Sequence, residues 1–226
     1  MGLNEKFFKS AAVDDTPSFA PVLYTGNWNG SNTNTIEVGF RPDWIWIKRR
    51  DGADGHHLYD SVRGMGKPLY SNTTGAENAS NHVNTTSTGF TLVTDNVNQN
   101  GNLFIAWCWK AGGAASQNND GTIQGANCLV SANQDAGFSI TKYTGNGTSG
   151  ATFGHGLGQQ VGLSIVKNVG SSTYWYVYSN LLPTNNNLYL NTADSKQADG
   201  VMLGGNSTTV SISASSSVNT NSGSYI

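Results

Sequence analysis

The chain has 226 residues, room for one large or two small domains, and its 12 Lys+Arg against 14 Asp+Glu leave a net charge of -2. Charge this sparse and balanced offers no electrostatic footprint for nucleic acid or an anionic membrane surface. The abundance of Gly, Asn, Ser and Thr favours short strands joined by turns over long helices. There is no apolar run of about eighteen residues to span a membrane.

Residues 1–19 read as an N-terminal arm. Phe7, Phe8 and Phe19 sit among charges with no hydrophobic period, a pattern that suits either disorder or docking onto a partner. The arm lacks an apolar core of signal-peptide length, so no secretory signal is expected.

A first β-rich unit is expected over residues 20–112. Pro21 to Tyr24 reads as a strand, Gly26 to Asn34 as a polar loop, and Thr35-Ile36-Glu37-Val38 as a half-buried strand, because polar and apolar residues alternate. Arg41-Pro42-Asp43 makes a turn. Trp44-Ile45-Trp46-Ile47 is apolar at every position, so both of its faces must be covered, by the core or by a neighbour. Leu58-Tyr59, Leu69-Tyr70 and Gly89 to Val93 supply further strands. Leu103 to Trp109 places Leu103, Ile105, Trp107 and Trp109 on one face and Phe104, Ala106 and Cys108 on the other. Six or more short strands with Gly/Asn turns predict an antiparallel β-sandwich.

Residues 113–136 read as a linker with a short strand at Cys128-Leu129-Val130. Beyond it, residues 137–226 repeat the first unit. Tyr24-Thr25-Gly26-Asn27 recurs as Tyr143-Thr144-Gly145-Asn146, and Lys48 as Lys167, both at a spacing of 119. Leu69-Tyr70 recurs as Leu188-Tyr189; later the spacing drifts to 121, where Val97-Asn98 meets Val218-Asn219 and Phe104-Ile105 meets Tyr225-Ile226. Strand-like pieces keep register while polar connections change, as expected of a duplicated domain. In the second copy nothing corresponds to Ala106-Trp107-Cys108-Trp109. Its terminal strand is expected to be cut short, which implies either a longer chain or a neighbour covering the gap.

Cys108 reads as a buried free thiol, and pairing with Cys128 stays open. So few cysteines suit a reducing cytoplasm. His56, His57, His82 and His155 lack zinc-ligand spacing, and Asp51 to Gly55 lacks the alternating ligands of a calcium loop. No metal and no cofactor is therefore expected. Asp60, Ser61 and Arg63 sit close together, but a brace between Asp60 and Arg63 explains them better than a nucleophilic site, since the second copy has Ser179-Asn180-Leu181-Leu182 there. Paired carboxylates for glycoside hydrolysis cannot be argued. No catalytic constellation emerges, and the protein is expected not to be an enzyme. Trp28, in an Asn/Gly loop, and Trp175, within Tyr174-Trp175-Tyr176, are candidate glycan-stacking residues; the alternative is that Trp175 turns into the core.

Taken together, Tyr24 to Asn27, Gly39 to Lys48, Leu58 to Gly64, Val97 to Gly101 and Ala106 to Gly113 resemble a domain family that recurs in tandem in virion proteins of tailed bacteriophages, especially phages of marine cyanobacteria. The resemblance is close in the first copy and looser in the second, where Gln159-Gln160-Val161 replaces the turn at Arg41-Pro42-Asp43. It implies jelly-roll or concanavalin-like β-sandwiches in a tail fibre or tail-associated adhesion protein; the arm lies outside the resemblance, and its Phe7, Phe8 and Phe19 are the candidates for docking onto the particle. It further implies assembly in the host cytoplasm with other virion proteins, by analogy as a homotrimer, and contact with host surface glycan; from the charge and the lack of a long apolar run, neither nucleic acid nor membrane insertion is expected. A host-polysaccharide-binding module and a capsid-decorating protein are the alternative roles.

Overall fold

Alternation of burial along the strands builds the two cores of this molecule. The computed structural model describes residues 17–226. Its first half contains β1 (Phe19–Thr25), β2 (Asn34–Glu37), β3 (Trp44–Arg49), β4 (His57–Asp60), β5 (Leu69–Tyr70), β6 (Val83–Thr85), β7 (Gly89–Leu92) and β8 (Leu103–Trp109), with a 3-10 turn at Asp95–Val97. These strands form two antiparallel sheets, in the orders β1-β8-β3-β4-β5 and β2-β7-β6. One apolar cluster lies between them. It takes Ile45 and Ile47 from β3, Phe104, Ala106 and Cys108 from β8, and Ile36, Phe90 and Leu92 from the smaller sheet. The opposite residues of β8 stay half-exposed or exposed, so its period of two is as the sequence predicts.

A hairpin follows, β9 (Ser116–Asn118) and β10 (Gly125–Asn133), where the sequence suggests a linker with one short strand. The difference has a physical cause. β10 pairs on one side with β9 and on the other with the next strand, so backbone ladders hold a segment whose side chains signal little.

The second half contains β11 (Phe138–Thr144), β12 (Ala151–Gly154), β13 (Leu163–Val166), β14 (Tyr176–Ser179), β15 (Leu188–Tyr189), β16 (Met202–Gly205), β17 (Thr209–Ile212), the one-turn helix α1 (Ser216–Asn219) and β18 (Ser224–Tyr225). Sheets β18-β11-β10-β9, β12-β17-β16 and β13-β14-β15 are again antiparallel. The fold is thus all-β, built from several antiparallel sheets.

Contacts of the first half recur in the second, atom for atom in places. Tyr24 stacks on Phe104 at 5.1 Å and its hydroxyl donates to the Val97 carbonyl at 2.7 Å. Tyr143 stacks on Tyr225 at 4.9 Å and donates to the Val218 carbonyl at 2.7 Å. The Lys48 ammonium donates to the Arg49 and Gly52 carbonyls, and the Lys167 ammonium to those of Asn168 and Ser171. The repeated Thr-Gly-Asn is steric in origin. A Cβ at Gly26 would sit 2.1 Å from the Gln99 carbonyl oxygen, and one at Gly145 would sit 2.3 Å from that of Thr220.

The outer faces of the two large sheets meet. Trp44 and Trp46 of β3, with Leu58 and Leu69, pack in one cluster with Ile140, Ile165, Trp175 and Ile226. The neighbour that the apolar run at Trp44–Ile47 requires is therefore the other half of the chain. Hydrogen bonds cross the same seam: the Glu77 amide donates to the Val169 carbonyl at 2.8 Å and the Thr173 amide to that of Thr74 at 3.0 Å.

Candidate functional site

Trp175 belongs to this seam. Only 1% exposed, it donates its indole N–H to the carbonyls of Tyr70 and Thr73, at 3.1 Å each. Its ring is therefore not available for stacking on a sugar; of the two readings of Trp175, the structure gives the core one. The exposed aromatic nearby is Tyr174, stacked on Tyr189 at 4.4 Å, and the Tyr189 hydroxyl in turn donates to Asp199 at 2.8 Å.

Trp28 is half-buried on an asparagine-clamped loop. Its amide donates to the Asn98 carbonyl at 2.9 Å. The side chains of Asn27, Asn34 and Asn98 are hydrogen-bonded to one another at 3.0–3.1 Å, so these amides are already engaged. The second half keeps the clamp through Asn146 and Asn219 but has Gly147 in place of the tryptophan.

Of the proposed docking residues, Phe19 lies not in an arm but at the start of β1, 43% exposed and 4.8 Å from the Trp109 ring. Phe7 and Phe8 lie outside the described residues.

Asp60 and Arg63 form the expected brace. The guanidinium Nε meets Asp60 Oδ2 at 2.6 Å, the Arg63 amide donates to Asp60 Oδ1 at 2.7 Å, and the guanidinium also reaches Glu77 at 3.0 Å. Asp60 is wholly buried and Arg63 nearly so, which shields the pair from most water. Ser61 Oγ is buried with no partner among the described residues, and Asp60, occupied by Arg63, is not free to act as its base.

A polar network that the sequence gives little sign of joins β4 to the segment before β6. The Tyr59 hydroxyl lies 3.0 Å from His82 Nδ1 and 3.4 Å from His57 Nδ1, and Asn96 lies 3.1 Å from His82 Nε2. One proton arrangement satisfies all three contacts: Asn96 donates to His82, His82 to Tyr59, and Tyr59 to His57. Burial, reinforced by the neighbouring His82, lowers His57 to about 4, so it is neutral at pH 7. Burial also raises Tyr59 well above the usual phenol range. The network borders a hollow of about 320 Å³ lined by Asp54, His57, Asp95 and Gln99. Asp54 is held there by Arg49 at 3.1 Å. Among the described residues no three His, Cys, Asp or Glu side chains are placed to share a metal ion. The second half has Tyr176, Tyr178 and Val201 at the matching positions, so the network belongs to the first half alone.

A second concave feature is an apolar groove of about 600 Å³ between β11 and β13. Its walls include Ile140 and Thr141 of β11, Leu163 and Ile165 of β13, and Trp44, Trp46 and Trp109 from the first half; no Asp, Glu, Lys or Arg lines it. Cys108 and Cys128 are free thiols in separate cores, and burial pushes Cys108 up to about 12. Both are too well shielded for thiolate chemistry.

A family model described as "Domain of unknown function (DUF7483)" matches residues 14–226. No curated protein and no solved structure matches the chain.

Proposed function

We propose a function for this chain from the premise that it belongs to the DUF7483 family. It is a non-enzymatic structural component of a tailed-bacteriophage particle, a tail fibre or tail-associated adhesion protein attached through its N-terminal region and assembled with other virion proteins as a homotrimer. Each half is a β-sandwich of jelly-roll or concanavalin-like type, and the pair acts as one stiff unit with polar loops facing outward.

One observation carries this reading. The two halves are joined through a tryptophan seam with buried hydrogen bonds, Trp175 to Tyr70 and Thr73 above all, and not through a flexible tether alone. A body of this kind resists bending, as a load-bearing particle component must. The motif resemblance from Tyr24 to Gly113 supports the same reading. A second reading, recognition of host surface polysaccharide, is favoured by the Tyr174–Tyr189 stack and by the half-buried Trp28, since aromatic faces stack on sugar rings.

Antibody raised against the recombinant protein should label the tails of intact virions in electron micrographs. Label confined to the head would favour a capsid-decorating role instead, and purified particles free of its peptides by mass spectrometry would remove the protein from the virion altogether. Glycan-array retention that falls at least tenfold in Tyr174→Ala or Trp28→Ala would support the second reading.

A further inference from the structure

The hollow beside His57 has an internal control in the second half of the chain. That half repeats the tyrosine stack and the lysine cradle, yet Thr173, Tyr176, Ser216 and Thr220 stand where the hollow has Asp54, His57, Asp95 and Gln99. The unit folds without these side chains, so folding does not account for their meeting in the first half. The hollow is built in two tiers. His57, 8% exposed, lies at its base, while Asp54, Asp95, Asn96 and Gln99 are exposed around the rim. Arg49 of β3 sets that rim. Its guanidinium donates to Asp54 Oδ2 at 3.1 Å and to Gln99 Oε1 at 3.4 Å, leaving Asp54 Oδ1 and the Gln99 amide nitrogen unengaged. Asp95, in the 3-10 turn, has a carboxylate with no hydrogen bond or ion pair among the described residues. Asn96 gives its amide nitrogen to His82 and keeps its oxygen. At the base, His57 Nδ1 accepts from the Tyr59 hydroxyl at 3.4 Å, so the single proton of the neutral ring is on Nε2. In a residue more than nine-tenths buried, that N–H has no partner among the described residues, and a buried donor left unmet is costly.

We propose that this hollow is a binding site for one neutral sugar ring, held between the His57 N–H at the base and the Asp54, Asp95 and Gln99 side chains at the rim. The free groups decide the ligand class. Asp54 Oδ1, the Asp95 carboxylate and the Asn96 oxygen accept, whereas His57 Nε2–H and the Gln99 amide nitrogen donate. Hydroxyls on neighbouring ring carbons each donate and accept, so one sugar meets both kinds at once. An apolar ligand leaves these groups unmet, and a carboxylated or sulfated sugar brings a second negative charge against Asp95. The volume of about 320 Å³ lies at the small end of ligand pockets, about 300–1,000 Å³, and suits one ring rather than several. Trp28 forms a parallel bridge with Gln99, which brings the loop carrying its indole to the rim. The inference rests on the glycan-recognition reading above and gives that reading a site in the first half, apart from Tyr174.

The test uses the full chain with isotope-labelled histidine, observed by NMR at the imidazole nitrogens in EDTA. The probes are the methyl glycosides of glucose, galactose, mannose and N-acetylglucosamine, with glucuronic acid as the charged control. The free protein should show the Nε2–H tautomer at His57. At least one neutral glycoside should shift that nitrogen and its proton saturably, and glucuronic acid should not. Asp95→Ser, an exposed change to the residue type of the second half, should leave Tm unchanged and weaken the binding about tenfold, since a hydrogen bond to a charged acceptor is lost. No shift at His57 with any of the glycosides, or a shift that keeps its full affinity in Asp95→Ser, would overturn the proposal. So would a shift produced by calcium chloride without EDTA and by none of the sugars, which would make the hollow a cation site. Glycan-array retention that falls in Tyr174→Ala but is unchanged in Asp95→Ser would sink the hollow and keep the glycan reading; no retention of the unmodified chain would remove both.

Discussion

His57 and Lys167 show what burial does to single titratable groups here, and both give pH-dependent stability with a definite sign. His57, 8% exposed, is lowered from 6.5 to about 4, while the same imidazole in the unfolded chain keeps its ordinary value. Between those values the unfolded state binds more protons, so stability is lost as pH falls from 6.5 towards 4, by up to ~3 kcal/mol from this residue. His82 and His155 are shifted the same way by burial and add to the effect. Urea denaturation at pH 7, 5.5 and 4.5 should show this loss, and His57→Gln should flatten the slope. Lys167 is fully buried, its ammonium satisfied by carbonyl oxygens, and burial lowers it to about 8. Its unfolded value of 10.5 lies higher, so folding gains stability as pH rises from 8 to 10. Lys167→Met should remove that gain; an unchanged slope in the same titration would mean that the ammonium is hydrated.

At the scale of elements, the turn after β4 and the segment leading into β14 bear the sharpest expectations. Arg63 neutralises a fully buried Asp60 and ties it to Glu77, whose amide reaches the second half. Arg63→Met leaves the carboxylate uncompensated and should cost about 3–5 kcal/mol in chemical denaturation. A loss below about 1 kcal/mol would show that water replaces the guanidinium. Just before β14, Trp175→Phe keeps most of the apolar packing but strands the Thr73 carbonyl, while the Tyr70 carbonyl keeps the Thr73 amide as donor, at a cost of about 1–3 kcal/mol. Much of this level was legible in the sequence. β8 could be read from strict alternation, β3 from its unbroken apolar run, and the Asp60–Arg63 brace from the missing charges in the second copy. Of β10 only Cys128 to Val130 was legible; its full span of Gly125–Asn133 was not, because its ends are held by backbone ladders and Gly, Asn and Ser carry little strand signal. Phe19 was placed in the arm because Pro17 and the charges before it mask the start of β1, which is fixed by pairing with Trp109.

For the molecule as a whole, the shared seam makes the two halves thermodynamically dependent on each other. Calorimetry should show one unfolding transition, with calorimetric and van't Hoff enthalpies equal, and Trp175→Ala should split or broaden it. Two resolved transitions in the unmodified chain would mean that the seam contributes little. The sequence by itself determined the strand-rich class, the two copies of one motif series at a spacing of 119 and the inward faces of the central strands, because period and repetition are local properties of the chain. Only the tertiary structure decided that Trp175 is a buried anchor, that His57, Tyr59 and His82 meet, and that an apolar groove lies between β11 and β13. Each of these depends on which surfaces face one another after residues far apart in the chain have been brought together, and no local pattern of side chains encodes that.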